Sequence, residues 1–146
     1  MPNAPPPPTL VLQEPVRVSA GVLIRRGSVL ACQRGPQSSH AGKWEFPGGK
    51  AEPGESAAQC LRRELEEELG IDATIGAEVW RSVHRYADRA PIGLTFFRVD
   101  AFRGEPVNRV FGDIRWVAVG ELDRLDFLEA DRELIARLPA LLAATR

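Results

Sequence analysis

The run RRELEEELGI, residues 62–71, places four glutamates in five consecutive positions: Glu64, Glu66, Glu67 and Glu68. Successive residues on an α-helix are turned by about 100°. Glu64, Glu67 and Glu68 therefore share a sector of roughly 100°, and Glu66 points away from it. Leu61, Leu65 and Leu69 recur at i, i+4 and i+8 in the neighbouring sector and supply a stripe to bury. Three converging carboxylates repel one another and raise one another's pKa unless a cation neutralises them. Hard oxygen donors in that number suit Mg²⁺, with Mn²⁺ as a substitute, alongside waters and substrate phosphates. The competing reading is a solvated, charged helix face.

Upstream lies FPGGK, residues 46–50. Adjacent glycines let the backbone approach a ligand and free a carbonyl for a metal. Lys50, Arg34 and Lys43 are nearby cations for a polyphosphate. Loop and acidic helix together describe a site for a metal-bound diphosphate.

These residues need a scaffold, and the flanking pattern predicts one. Residues 16–34 read as two β-type runs joined by RRGS, a hairpin. Residues 35–49 are rich in Gly, Pro and Ser and read as a loop with a short strand around Trp44–Phe46. The acidic helix should start at Glu55/Ser56 and stop at Gly70. Further β-type runs occupy residues 71–86, 93–103 and 114–119. A second amphipathic helix closes the chain over residues 129–146, with Asp131 as its cap or first-turn acid and Pro139 ending or kinking it. Strands mixed with two helices, without regular βαβ alternation, predict an α+β domain with a mixed sheet flanked by helices.

The chain of 146 residues suits one domain, which buries about 68–70% of its unfolded surface. Five prolines fall within the first eight residues, so residues 1–15 read as an extended Pro-rich tail and residues 16–146 as the folded domain. A net charge of −1 argues against a dedicated nucleic-acid binder, but it leaves room for a small nucleotide ligand. Seventeen arginines stand against two lysines; this reflects either genome composition or phosphate recognition. Cys32 and Cys60 form no CxxC motif and read as core residues of a reducing compartment. No apolar run of eighteen or more residues and no signal-peptide pattern is present, so a cytoplasmic, membrane-free protein is expected.

Gly49, five residues, Glu55, seven residues and then RELEEELGI resemble the Nudix box, GX5EX7REUXEEXGU. All nine specified positions match: Gly49, Glu55, Arg63, Glu64, Leu65, Glu67, Glu68, Gly70 and Ile71. The likeness extends to the MutT-type pyrophosphohydrolases through Gln33, Arg34 and the run KWEFPGGK, and through FLEADRELI at residues 127–135. It covers roughly residues 16–138.

The resemblance implies an α/β/α sandwich and hydrolysis of a (modified) nucleoside triphosphate to the monophosphate and pyrophosphate, as in clearing the nucleotide pool of damaged bases. It implies that Glu64, Glu67 and Glu68, with the Gly48 carbonyl, hold the divalent cation. Glu64 is the first choice for general base, with a purely ligating role as its alternative. Arg63 and Glu55 would brace the loop and helix. Arg34, Glu45 and Lys50 are expected on the substrate side. Phe46 either stacks on the base or packs in the core. Asp131 either reads the base edge, favouring an exocyclic amino group, or serves only its helix.

One departure stands out. MutT-type proteins often carry a glutamate six residues before the tryptophan that matches Trp116, and here that position is Val110. Either Asp113 or Glu105 substitutes, or the three box glutamates suffice. The only histidines are His40 and His84; His84 is expected on a surface strand, the alternative being that it approaches the nucleotide along with Arg85 or Arg89. Alternative substrates with the same chemistry are ADP-ribose, a dinucleoside polyphosphate or a nucleotide sugar. A ligand-sensing domain without activity is disfavoured because the box glutamates are intact. Oligomeric state is not legible at this level.

Overall fold

The computed structural model describes residue 4 and residues 14–145, so most of the Pro-rich segment lies outside the described residues. Nine strands, two α-helices and one 3₁₀ helix make up the described chain. The hairpin forms as expected: β1 (Val16–Arg25) and β2 (Ser28–Gln33) turn at Arg26–Gly27, where both residues adopt positive φ. The strand expected around Trp44 is β3 (Trp44–Glu45), and a further strand, β4 (Gly48–Lys50), lies in what reads as loop. Helix α1 spans Ala57–Leu69.

The long β-type run at 71–86 is broken into β5 (Asp72–Thr74) and β6 (Glu78–His84). Between them Gly76 donates its N–H to the Arg98 carbonyl at 2.9 Å; a Cβ there would lie 2.6 Å from that oxygen. The run at 93–103 likewise divides into β7 (Ile92–Val99) and β8 (Ala101–Arg103), and β8 pairs only with β5. Strand β9 (Asp113–Ala118) leads into a 3₁₀ helix at Val119–Arg124, and α2 spans Glu129–Ala144.

The main sheet has seven strands in the path β3-β2-β1-β7-β6, with β4 also paired to β1 and β9 to β2. It is mixed: β1 and β7 run parallel over eight residue pairs, and the other pairings are antiparallel. Alternation along the strands separates two cores. Val22 and Val29 join Leu134, Ile135 and Leu138 of α2, whereas Leu23 and Leu30 join Leu61, Leu65 and Leu69 of α1. The helices therefore cover opposite faces of one sheet, which is the expected α/β/α sandwich. Burying each of those leucines stabilises the fold by roughly 1.5–3 kcal/mol.

Helix α1 begins where its sequence says. Ser56 Oγ accepts from the Gln59 amide at 3.1 Å, and the Gln59 side-chain oxygen accepts from the Ser56 amide at 2.9 Å, a complete capping box. Gly70 ends it with φ 67°.

Of the two effects expected of Pro139, it does not end α2; the helix continues to Ala144. Proline removes one helical N–H, but Leu138 is buried and Leu141 and Leu142 pack against the same core. Arg98 also donates to the Leu142 carbonyl at 2.6 Å, gripping the last turn. No helix among the described residues is long and apolar enough to cross a membrane.

Candidate active site

Strand β4 is the hinge between the cleft and the acidic helix. It pairs with β1 through Ala20–Gly48, Ser19–Gly49 and Val18–Lys50. A Cβ on Gly48 would lie 1.9 Å from the Ser19 carbonyl oxygen, so only glycine lets β4 lie this close to β1. A Cβ on Gly49 would lie 2.4 Å from the Glu64 carboxyl carbon. Gly48 donates its N–H to the Glu68 carboxylate at 3.0 Å. Two box glutamates are thus pressed against the backbone of two consecutive glycines.

Arg63 organises the rest. It donates to both Glu55 oxygens at 2.8 and 2.9 Å, to Glu64 at 2.9 Å, to Glu67 at 3.3 Å and to the Lys50 carbonyl at 3.0 Å. Hydrogen bonds from this guanidinium hold the Glu55 carboxyl down at about 2. Glu55 also accepts from the Glu52 amide at 3.0 Å, so this pair ties the loop before α1 to the helix itself. Glu66 is exposed and points away, as the helical angle predicts.

One arginine does not neutralise the cluster. Burial, then the neighbouring Glu64 charge, push the Glu68 carboxyl up to about 8. Burial also raises Glu64, against the pull of Arg63. Among the described residues, no three acidic, His or Cys side chains close around one point; Glu64 and Glu67 are instead bonded to Arg63. The donor chemistry still fits a divalent cation: the box carboxylates and the glycine carbonyls are hard oxygen donors, and the one neighbouring thiol, Cys60, is buried and turned to the Gly49 carbonyl at 3.4 Å.

The cleft next to β4 encloses about 600 Å³. Gly48, Gly49 and Lys50 line one part of it, and Arg34, Glu45 and Asp131 another. The junction of β3 with the start of α2 sets the second group. Trp44 donates to the Asp126 carbonyl at 2.9 Å, and Leu128 donates back to the Trp44 carbonyl at 2.9 Å. That clamp brings Asp131, on the first turn of α2, into the field of Glu45. Asp131 is only 5% exposed; burial, reinforced by Glu45, pushes its carboxyl up to about 8.

Arg34 is engaged within the protein. Its Nη1 bonds both Glu45 oxygens at 3.0 and 3.1 Å, and its Nε donates to the Ser39 carbonyl at 2.6 Å. It thereby fastens the 35–42 loop to β3. Burial nonetheless keeps Glu45 above the usual carboxylate range. Phe46 is buried, with its ring centre 5.9 Å from Phe96 and 5.2 Å from Phe127. It packs in the core beneath the cleft, which favours the packing role over stacking.

Neither proposed substitute for Val110 reaches the cleft. Glu105 pairs with Arg25 at 2.6 Å and Asp113 with Arg115 at 3.0 Å, while Val110 is exposed. His84 is half-buried and lines the cleft together with Tyr86 and Arg89. Sequence reasoning missed Tyr86. The available signal was the period-2 continuation of β6 beyond its last paired residue. Arg109 was also missed; it closes the end of α1 by donating to the Glu66 carbonyl at 3.0 Å.

A glycine-backed carboxylate helix at the edge of a nucleotide-sized cleft, within a mixed-sheet sandwich, defines a class of phosphoanhydride hydrolase. Residues 15–138 match the NUDIX domain family, and the chain belongs to it. It is a Nudix pyrophosphohydrolase of the MutT type, an enzyme of small nucleotides that works with a divalent metal ion.

It is 40% identical over 129 residues to the CTP pyrophosphohydrolase of Escherichia coli K12, covering 88% of this chain and 95% of that protein. It is 39% identical over 124 residues to the putative 8-oxo-dGTP diphosphatase 2 of Mycobacterium tuberculosis H37Rv, covering 83% and 86% respectively. Among solved structures, the E. coli ORF135 protein superposes with a TM-score of 0.81 at 38% identity, over 90% of this chain and 94% of that one. The MutT Nudix hydrolase of Burkholderia pseudomallei gives 0.78 at 25% identity, over 86% and 99%.

Proposed function

We propose that the protein hydrolyses a nucleoside triphosphate, modified ones included, to the monophosphate and pyrophosphate. Mg²⁺ would be held by Glu64, Glu67, Glu68 and the Gly48 carbonyl, with Mn²⁺ as a substitute. The observation that carries this reading is the division of one cleft between two chemistries. Its β4 side backs onto the glutamates, and its α2 side presents a buried carboxyl, Asp131.

When bound, the cation neutralises charge developing on the phosphates and makes a water more acidic. Glu64, held against Gly49, takes the proton of the attacking water as its oxygen bonds to phosphorus and the bond to pyrophosphate breaks. Lys50, exposed on the same strand and lining the cleft, would supply positive charge to the phosphate chain. Arg63 and Glu55 keep the loop and helix in register. Arg34 and Glu45, bonded to each other, support the 35–42 loop beside the substrate.

Asp131 sits at the base. With its carboxyl raised to about 8, it is neutral near pH 7 and offers both an O–H donor and a C=O acceptor. That pair complements a base edge with an amino group beside a ring nitrogen. Cytosine has such an edge at N4 and N3, and 8-oxoguanine offers a matching donor and acceptor at N7–H and O6; relatives named for CTP and 8-oxo-dGTP are consistent with it.

The test is a panel of normal and modified nucleoside triphosphates with Mg²⁺, scoring pyrophosphate against orthophosphate. Pyrophosphate release with a preference for cytosine or guanine derivatives is expected. Orthophosphate release, or turnover confined to ADP-ribose, would overturn the reading.

A further inference from the structure

One wall of the cleft is not part of the box. Along β6, Trp80, Ser82 and His84 are half-buried while Arg81 and Val83 are exposed, the alternation of a strand with one covered face. Tyr86 continues that face two residues beyond His84, where the strand has ended, and both side chains line the cleft. Their rings meet edge to face at 4.3 Å and 67°. An edge-on contact of this kind fixes a ring's orientation while leaving it a face to offer.

Opposite, His40 brings its ring to 6.0 Å from Tyr86. His40 and Asp88 both hold left-handed backbone, at φ 56° and 66°, so each of the two loops beside the ring contains a costly residue conformation. Charged groups of Asp131, Glu129, Arg34 and Arg89 act on the Tyr86 hydroxyl, which places the ring among the groups at the α2 side of the cleft. Phe46, the aromatic that the sequence offered for stacking, also borders the cleft but is only 4% exposed and packs against Phe96 and Phe127, so it has little ring face to offer.

We propose that Tyr86, steadied by His84, is the surface on which the nucleotide's base stacks, with Asp131 at the base edge. The inference rests on the nucleotide-hydrolase reading above and deepens it. Every base has a π-face, so stacking adds affinity without discriminating between bases. Tyr86 would then set how tightly any nucleotide is held, and Asp131 which one is preferred. His84 acts through Tyr86 as a positioning residue.

Tyr86 is the only tyrosine in the chain, so a sample with isotope-labelled tyrosine rings gives a single set of ring signals by NMR. The whole protein is titrated with CMP and GMP, and separately with ribose 5-phosphate and pyrophosphate, each in the presence of Mg²⁺. Both nucleotides should shift the Tyr86 signals upfield through the ring current of the stacked base, and neither base-free ligand should.

Tyr86→Ala should weaken CMP and GMP binding on the order of tenfold or more, and should raise KM for triphosphates with little change in kcat. Tyr86→Phe should restore binding. His84→Ala should cause a smaller loss, rescued by His84→Phe. Calorimetric binding of the nucleotides with unmoved Tyr86 signals would overturn the inference and leave the hydrolase reading standing. Equal weakening of CMP and ribose 5-phosphate by Tyr86→Ala would also overturn it. If no nucleotide binds or is hydrolysed, the hydrolase reading fails and this inference fails with it.

Discussion

The amide of Gly48 donates to the Glu68 carboxylate across 3.0 Å, joining the strand that lines the cleft to the helix that carries the acids. Glu68 is thus held by backbone, whereas Glu67 is 58% exposed and, among the described residues, its carboxylate is hydrogen-bonded by Arg63. Glu67→Gln should therefore leave the fold intact while turnover falls at least about hundredfold, the scale of losing one electrostatic contact in a transition state. Thermal unfolding and kcat with Mg²⁺ check both halves. Undiminished turnover would end the metal-cradle assignment.

The two glycines should respond differently to alanine. Gly48→Ala drives a methyl group into the Ser19 carbonyl and Ala20 Cα, which are backbone, so it should destabilise the protein by roughly 1–3 kcal/mol or more. Gly49→Ala meets only the end of the Glu64 side chain, which can swing aside. It should keep the melting temperature nearly unchanged and lower kcat. Equal thermal effects for the two variants would contradict this geometry.

Asp131 makes stability depend on pH in a defined direction. Its carboxyl is raised from an ordinary 3.8 to about 8 in the folded state. Between those values the folded protein keeps a proton that the unfolded chain has released, so stability is full at acid pH and falls as pH rises toward 8. Glu68, raised from 4.5 to about 8, adds the same sign. Asp131→Asn should flatten, without abolishing, the decline of melting temperature between about pH 5 and 8. A slope identical to that of the parent protein would mean Asp131 is charged when folded.

Base preference tests Asp131 separately. Asp131→Ala should reorder the kcat/KM ranking of cytosine, guanine, adenine and uracil triphosphates. A uniform drop across all four would assign Asp131 to the packing of α2 alone.

Arg63 bonds Glu55, Glu64, Glu67 and the Lys50 carbonyl with a planar fork, which an ammonium cannot reproduce. Arg63→Lys should lower the melting temperature and also raise the Mg²⁺ concentration needed for half-maximal turnover, because Glu64 and Glu67 lose their common brace. A change in melting temperature with unaltered Mg²⁺ dependence would confine Arg63 to a purely structural role.

The acidic helix was legible from sequence because its signals are local. Ser56, Gln59, Gly70 and the leucine stripe specify start, stop and buried face within one stretch of chain, and the helical angle alone separates Glu66 from Glu64, Glu67 and Glu68. The hairpin and the mixed sheet flanked by helices followed from the same kind of short-range pattern, and the α/β/α sandwich from the resemblance to the Nudix family. Strand β4 was less legible, since Gly48–Lys50 carries no β-type side-chain signal and exists through pairing with β1. That Pro139 lies within α2 and does not end it was not legible for a related reason: the helix beyond it is held by the burial of Leu138 and the grip of Arg98.

Sequence by itself determined which residues could hold a cation, because carboxylate spacing on a helix is a property of the helix. Only the tertiary structure decided what those residues meet. Gly48 and Gly49 are brought against Glu68 and Glu64 by pairing between strands, and Asp131 reaches Glu45 through the clamp between Trp44 and residues 126–128. Tyr86 becomes a cleft wall because β6 ends beside α2. Such contacts join positions tens of residues apart, and their burial and charge environment arise only when the sheet brings them together.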